Sequence, residues 1–247
     1  MAARRFYIPP ELIGEKEARL PDAEARHLRN VLRIREGERI EIFDGNGGNW
    51  SGVAGFRHGE VFVCELTPIH SGPRPEAARL ALAMAIIKPA RFEWAIEKAT
   101  ELGADEILPL YTARSEIRIS GEKIPARLAR WDRITKEASK QCRRPDVPSV
   151  RPPLEFRDFL SSKEYSIQNK VLFYEKSNDL WMPDRTENTA DTIICIGPEG
   201  GWTEDEIESA EKSGCGVFSL GPRLLRAETA AIAALSLGLW DRWRRPS

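Results

Sequence analysis

Apolar and polar residues alternate in the N-terminal part of the chain with the period expected of β-strands. Residues 39–42 read Arg-Ile-Glu-Ile, which predicts a strand with one buried face. Residues 50–56 and 60–66 flank Arg57-His58-Gly59, and this arrangement predicts a β-hairpin. A predicted helix over about 22–32 interrupts the strands. Short strands at this spacing favour a small β-barrel.

From Leu80 onward, continuous apolar runs alternate with helical patterns. Residues 80–87 form such a run, which is typical of a strand buried on both faces of a sheet. Residues 91–102 repeat apolar positions with the helical period and are followed by Gly103, a common helix stop. Further strands are predicted at 107–111, 171–174, 192–196 and 217–220, and further helices at 124–142 and 203–213. The alternation predicts an α/β domain built on a parallel sheet.

A segment rich in proline and glycine separates these two patterns. Residues 70–75 read His-Ser-Gly-Pro-Arg-Pro, which is typical of a linker. We therefore predict two domains, residues 1–72 and residues 73–247.

Composition and charge are those of an ordinary globular protein. Of the 247 residues, 41% are hydrophobic and 30% are charged, and the net charge is −1. A nucleic-acid partner would therefore need a local basic patch, because the chain as a whole is not basic. No apolar segment follows Arg4 and Arg5, and the longest one, residues 230–240, is too short to cross a bilayer. We expect a cytoplasmic protein with no membrane partner.

The cysteines and histidines give no sign of a metal site. The four cysteines stand far apart in sequence and predict neither a zinc site nor a disulfide framework. The three histidines are equally scattered. We therefore expect no bound metal.

Two local clusters of basic residues are candidates for RNA binding. Residues 125–151 contain eight basic and three acidic residues, and on the predicted helix the basic and apolar positions fall on opposite sides. Residues 26–35 contain four arginines and no acid. Charged faces of this kind are usually only solvated, but the local imbalance favours contact with RNA phosphates.

Three segments follow predicted strands, at the edge where parallel sheets bind ligands. The first, residues 172–175, reads Leu-Phe-Tyr-Glu and is by itself more typical of a core strand with a surface glutamate. The second, residues 196–201, reads Ile-Gly-Pro-Glu-Gly-Gly; its glycines allow close backbone approach to a ligand, and Glu199 disfavours a phosphate. The third, residues 219–230, carries Arg226 and Glu228 at a helix start, where a structural salt bridge is an equal alternative.

The second and third segments, together with shorter motifs, resemble one known family. The motifs are IGPEGG-W-T-x-x-E from residue 196, SLG-x-R-LLR-x-ETA from residue 219, RFY at 5–7, HLRNVLR at 27–33, KATELG at 98–103 and EASKQCRR at 137–144. They resemble the bacterial ribosomal RNA uridine-N3 methyltransferases, which belong to the SPOUT superfamily. The resemblance spans nearly the whole chain and keeps its order.

The resemblance implies an architecture, a cofactor and partners. It implies a C-terminal α/β domain with a SPOUT trefoil knot, an N-terminal PUA-like β-barrel that binds RNA, and a homodimer whose active sites are completed by the partner chain. The cofactor would be S-adenosylmethionine, and the substrate would be 16S ribosomal RNA or the small ribosomal subunit. The implied cofactor-binding residues are Leu172, Phe173, Tyr174, Glu175, Ile196, Gly197, Pro198, Glu199, Gly200, Gly201, Ser219, Leu220, Gly221, Leu224, Leu225, Arg226, Thr229 and Ala230. The candidate RNA-binding residues are Arg4, Arg5, His27, Arg29, Arg33, Arg133, Lys140, Arg143 and Arg144.

The implied reaction is methyl transfer to N3 of uracil, whose imide must first lose a proton. Arg226 is the predicted catalytic cation, since a cation near the ring oxygens stabilises the resulting anion. Glu199 or Glu228 would orient that arginine or accept the proton.

Three alternatives to this function stay open at the level of sequence. A 2′-O-ribose methyltransferase of the same superfamily would use the same cofactor. A non-catalytic RNA-binding factor would bind none. A nucleotide-binding enzyme would place a phosphate at residues 197–201, although the P-loop lysine is missing there.

Overall fold

The computed structural model of the protein describes residues 4–69, 79–166, 169–181 and 191–243. Contacts within the chain divide it into two compact units. The first contains residues 4–69 together with Ser139–Val147, and the second contains the other described residues. The predicted linker at 70–75 lies outside the described residues, so the domain boundary between residues 72 and 73 stays a prediction.

The first unit is built on a five-stranded sheet with the order β1-β3-β4-β5-β2. β1 pairs with β3 in parallel, and the other neighbours are antiparallel. Most apolar side chains of these strands point to one core, as the alternating pattern predicts. The strands are β1 (Arg5–Tyr7), β2 (Glu17–Arg19), β3 (Arg39–Phe43), β4 (Asn49–Arg57) and β5 (Glu60–Pro68).

Two sequence predictions for this unit are confirmed. β4 and β5 form the hairpin, and its turn places His58 at φ +48° and Gly59 at φ +81°. Glycine adopts this left-handed backbone without steric cost, which explains its place in the turn. α1 (Asp22–Arg26) continues as a wider helical turn, His27–Val31, so that the helix spans the predicted range and buries Leu28 in the core.

The second unit contains a seven-stranded sheet in which every recorded pairing is parallel. The strand order is β12-β10-β11-β6-β7-β8, with β9 also pairing with β7. The strands are β6 (Leu80–Ala85), β7 (Glu106–Tyr111), β8 (Ser149–Val150), β9 (Leu154–Glu155), β10 (Asn169–Phe173), β11 (Thr192–Ile196) and β12 (Gly216–Phe218). The helices are α2 (Pro89–Glu101), α3 (Ile124–Cys142), α4 (Phe156–Ser161), α5 (Glu204–Lys212) and α6 (Ala227–Trp243).

Strand β6 shows why the central strands are apolar throughout. Leu82 and Met84 pack in the core that α2 and α6 cover on one face of the sheet. Ala81 and Ala83 pack in a second core on the other face, which Phe156 of α4 also fills. Because both faces are covered, no position of the strand is left for a polar residue.

The strand order brings three strand ends together at one edge of the sheet. β10 lies between β11 and β12, with Phe173 in register with both Ile196 and Phe218. After β12 the chain continues into α6, which packs against β6 and β11. The predicted fold class, a parallel-sheet α/β domain with a small N-terminal β-barrel, is confirmed as a parallel-sheet α/β unit and a small N-terminal unit built on a five-stranded sheet. No helix within the described residues combines the length and the apolar character needed to cross a membrane.

Candidate active site

A cavity of about 350 Å³ opens at the carboxyl ends of β10, β11 and β12. This volume is in the range of small-molecule sites, and the location is where open parallel sheets bind their ligands. The lining residues are Phe173, Tyr174, Glu175, Ile196, Gly197, Pro198, Glu199, Gly200, Gly201, Trp202, Ser219, Leu220, Gly221, Arg223, Leu224, Leu225, Arg226, Ala227 and Ala230.

The predicted cofactor-binding residues meet at this cavity, with two exceptions. The side chain of Leu172 is fully buried and packs in the second core, on the face of the sheet that Phe156 of α4 also fills. Thr229 lies exposed on the first turn of α6 and is not among the lining residues. Trp202, Arg223 and Ala227 line the cavity without having been predicted. The strand-end argument located the three loops, but it could not tell which side chains of each loop turn inward.

The segment Gly197–Gly201, here called the glycine loop, is held against β10 by a tryptophan. Trp202 is buried, and its indole Nε1 donates a hydrogen bond of 3.0 Å to the carbonyl of Phe173. The same indole fills the space beside Gly197, where a Cβ atom would lie 2.9 Å from Nε1. Gly201 adopts φ +70°, a left-handed conformation that favours glycine. Glycine at both positions therefore follows from close packing and from backbone conformation.

A second set of contacts fixes the far end of the glycine loop. Arg114 Nη1 donates to the carbonyls of Gly200 and Trp202, at 2.8 and 3.2 Å. A capping box begins α5: Thr203 Oγ1 accepts from the Glu206 amide, and the Glu206 carboxylate accepts from the Thr203 amide. The same carboxylate accepts from the Ala113 amide at 2.8 Å. These hydrogen bonds fix the backbone at this end of the glycine loop.

The two candidate catalytic glutamates contact one arginine that the sequence did not single out. Arg91, in the first turn of α2, has its Nη1 atom 3.5 Å from Glu199 Oε1 and its Nε atom 3.7 Å from Glu228 Oε1. Glu199 lines the cavity, whereas the Glu228 side chain is largely buried. Arg226 lines the cavity and is exposed. Arg91 therefore lies within ion-pair distance of both carboxylates, and the catalytic role of Arg226 stays a prediction.

Three of the candidate RNA-binding cations are engaged inside the first unit. Arg5 is buried with its guanidinium 4.3 Å from the centre of the Phe43 ring, and this burial lowers its pKa. Lys140 pairs with Glu24 at 2.8 Å, and Arg144 pairs with Asp146, all with largely buried side chains. The Lys140–Glu24 pair and the hydrogen bond from Arg5 to the Ser139 carbonyl join Ser139–Val147 to the rest of the first unit, a role that a local count of charges does not reveal.

The other candidate RNA-binding residues are more accessible. Arg4 and Arg29 donate to the carbonyls of Leu32 and Glu60, and Arg143 pairs with Glu41 at 2.8 Å while half of its side chain stays exposed. The side chains of His27, Arg33 and Arg133 are exposed. The RNA-binding role of all these residues stays a prediction.

The buried thiols are unsuited to chemistry. Burial raises the pKa of the Cys195 thiol well above its usual range, and burial also raises that of Cys215. A neutral buried thiol is a weak nucleophile. Within the described ranges, no three His, Cys, Asp or Glu side chains are grouped so as to hold a metal ion.

Comparison with known families and proteins identifies relatives of both units. The family model of an RNA methyltransferase domain matches residues 74–238, and that of an RNA methyltransferase PUA domain matches residues 20–53. Ribosomal RNA small subunit methyltransferase E of Synechocystis sp. is 34% identical over 239 residues, which cover 95% of this chain and 76% of that protein. The protein of the same name from Bacillus subtilis is 30% identical over 220 residues, 86% of each chain.

Solved structures of similar proteins share the fold over nearly their full length. Ribosomal RNA small subunit methyltransferase E of Neisseria gonorrhoeae, solved with S-adenosylmethionine bound, superposes with a TM-score of 0.84 at 30% identity and covers 95% of both chains. A methyltransferase of Legionella pneumophila, also solved with S-adenosylmethionine, gives a TM-score of 0.85 at 31% identity and covers 96% of this chain and 97% of its own. The chain belongs to the ribosomal RNA small subunit methyltransferase E family.

Proposed function

We propose that this protein transfers a methyl group from S-adenosylmethionine to N3 of a uridine in 16S ribosomal RNA. The observation that carries the proposal is the cavity at the ends of β10, β11 and β12, whose walls join the glycine loop to an apolar segment before α6. Relatives named for the small-subunit RNA, and relatives solved with S-adenosylmethionine, support it.

The residues of the cavity fit S-adenosylmethionine. Leu220, Leu225 and Ala227 provide apolar surface of the kind that an adenine ring needs. The glycine loop offers backbone groups without side chains between them and the ligand. Glu199 adds a negative charge, which favours a ligand with positive groups and disfavours a phosphate. When bound, this cofactor supplies an electrophilic methyl group on a positively charged sulfur.

The chain itself would supply the groups that prepare the uracil ring. Arg226 at the cavity would stabilise the negative charge that spreads over the ring oxygens when the N3 proton leaves. Glu199 or Glu228 would accept that proton. Holding the ring and the methyl donor in one cavity would supply a further part of the rate by orientation alone.

RNA would be held by exposed cations and presented as a single unstacked base. In the first unit His27 and Arg33 have exposed side chains on or beside the helical segment, with Arg29 nearby, and in the second unit Arg133 is exposed on α3. Such residues bind the phosphate backbone, while a separate cavity takes the flipped base. An enzyme with this substrate would act in the bacterial cytoplasm, where ribosomes are made.

We further propose that two copies of the chain form a homodimer. Large apolar side chains are exposed around the cavity and on α6: Leu224 is 83% exposed, Leu180 61% and Leu237 39%. Exposed apolar groups of this size favour burial against another chain. Sedimentation of the protein with and without Leu237→Glu would test this, since a shift from dimer to monomer is expected, whereas a monomeric wild-type protein would contradict the proposal.

The experiment that tests the function has two steps. Titration calorimetry with S-adenosylmethionine should show saturable binding, whereas ATP, the control ligand, should give none. Small-subunit RNA methylated in vitro is then digested to nucleosides and analysed by mass spectrometry. We expect one methyl group on the uracil base; a methyl group on ribose would replace the proposal with a 2′-O-methyltransferase.

A further inference from the structure

We propose that Arg91 is a positioning residue that fixes Glu199 and Glu228 beside the cofactor cavity. This inference rests on the proposed function, because it concerns affinity for S-adenosylmethionine. The guanidinium of Arg91 contacts one carboxylate through Nη1, at 3.5 Å, and the other through Nε, at 3.7 Å. A single side chain of α2 thereby joins the glycine loop to the first turn of α6.

In the described part of the chain, side chains contact the glycine loop at its two ends and, through Arg91, at its middle. Trp202 packs beside Gly197 at one end, and Arg114 holds the Gly200 carbonyl at the other. Between these two anchors, the Glu199 side chain is about one-third exposed. Its ion-pair partner is Arg91. The position of this carboxylate on the cavity wall therefore depends on Arg91.

The buried carboxylate of Glu228 depends on Arg91 even more strongly. Its side chain is 11% exposed, and its Oε2 atom is buried with no hydrogen-bond partner among the described residues. A buried carboxylate without a cation or donors is strongly unfavourable, because it has lost its water. Removing Arg91 would thus leave a buried charge uncompensated and would place two carboxylates near each other without the cation between them.

The consequence for the cofactor is one of preorganisation. A loop that already has its bound conformation loses less entropy on binding than a loop that must be ordered by the ligand. We therefore expect Arg91→Met to weaken S-adenosylmethionine binding about tenfold, and Arg91→Lys, which keeps the charge but not the planar fork, to weaken it less.

The test is calorimetric titration with S-adenosylmethionine well below the melting temperature of each variant. Arg118→Met is the matched control, because Arg118 also pairs with a glutamate, Glu155, but is not part of the cavity wall. Its affinity should equal that of the wild type. If Arg91→Met binds with wild-type affinity, the positioning role is refuted.

A double variant separates positioning from stability. Arg91→Met should lower the melting temperature, and adding Glu228→Gln should recover much of that loss because the buried charge is gone. The double variant should still bind the cofactor weakly, since Glu199 is still unheld. Full recovery of affinity along with stability would show a structural role only.

Should Arg91→Met fail to fold, Glu199→Ala removes the same contact from its exposed side and should also weaken binding; unchanged binding would then overturn the proposal. Failure of the wild type to bind would instead refute the proposed function, and this inference with it.

Discussion

A methyl group added at Gly197 tests whether close packing with Trp202 shapes the cofactor cavity. In Gly197→Ala the new Cβ atom would lie 2.9 Å from Nε1 and 3.0 Å from Cε2 of the indole. Carbon atoms do not approach ring atoms this closely, and the ring is buried, so either the ring or the loop must move. Movement of the ring breaks the 3.0 Å hydrogen bond to the Phe173 carbonyl.

The size of the effect follows from these two consequences. Overpacking in a well-packed core costs about 1–3 kcal/mol, and a buried donor left without its acceptor costs about 1–3 kcal/mol. We expect the free energy of unfolding to fall by about 2–5 kcal/mol in total, since the two terms partly overlap. If the loop moves instead, affinity for S-adenosylmethionine should fall about tenfold or more.

The assay combines urea denaturation with calorimetric titration of S-adenosylmethionine. Gly121→Ala is the control, because a methyl group there meets no atom within 4 Å and should leave both quantities unchanged. Trp202→Phe in the Gly197→Ala background should recover part of the lost stability, since it removes the clashing edge of the indole. Wild-type stability and affinity in Gly197→Ala would refute the packing argument.

Further variants test other contacts of the structure. Glu206→Ala should lower stability by about 1–2 kcal/mol by thermal denaturation, because the α5 cap and the Ala113 contact are both lost; no change would contradict that role. Lys140→Ala should cost about 2 kcal/mol in urea denaturation by leaving the Glu24 carboxylate unpaired. Arg133→Ala should leave stability unchanged but weaken RNA binding and reduce its salt slope by about 1; an unchanged slope would exclude a phosphate contact. Cys195 should resist alkylation, followed by mass spectrometry, until the protein unfolds, because burial raises its thiol pKa.

Elements with long periodic patterns were predictable from the sequence, and short ones were not. The strand Thr192–Ile196 and the helix Ile124–Cys142 occupy the predicted residues, because the strand is a continuous apolar run and the helix repeats its apolar positions over 19 residues. The strands Ser149–Val150 and Leu154–Glu155 were missed. A strand of two residues is too short to show an alternating pattern. Both strands pair with β7, which is distant in sequence.

The three loops of the candidate site were predictable from the sequence, whereas the contacts between distant residues were not. Parallel strand ends and glycines located the three loops, because both signals are carried by neighbouring residues. Arg91 was not predicted, since its partners Glu199 and Glu228 lie more than 100 residues along the chain. The same limit applies to Lys140, whose partner Glu24 is 116 residues away, so a buried ion pair resembled a basic surface in the sequence.

The grouping of Ser139–Val147 with the N-terminal sheet has a consequence for biosynthesis. The ribosome completes β1 to β5 long before it makes this segment, and β6, α2, β7 and most of α3 are made in between. Until then Glu24 lacks its Lys140 partner, and the Arg5 guanidinium lacks the Ser139 carbonyl. The N-terminal unit therefore cannot reach its final state in step with its own translation. A fragment that stops near residue 72 should be less stable than its length and core would suggest.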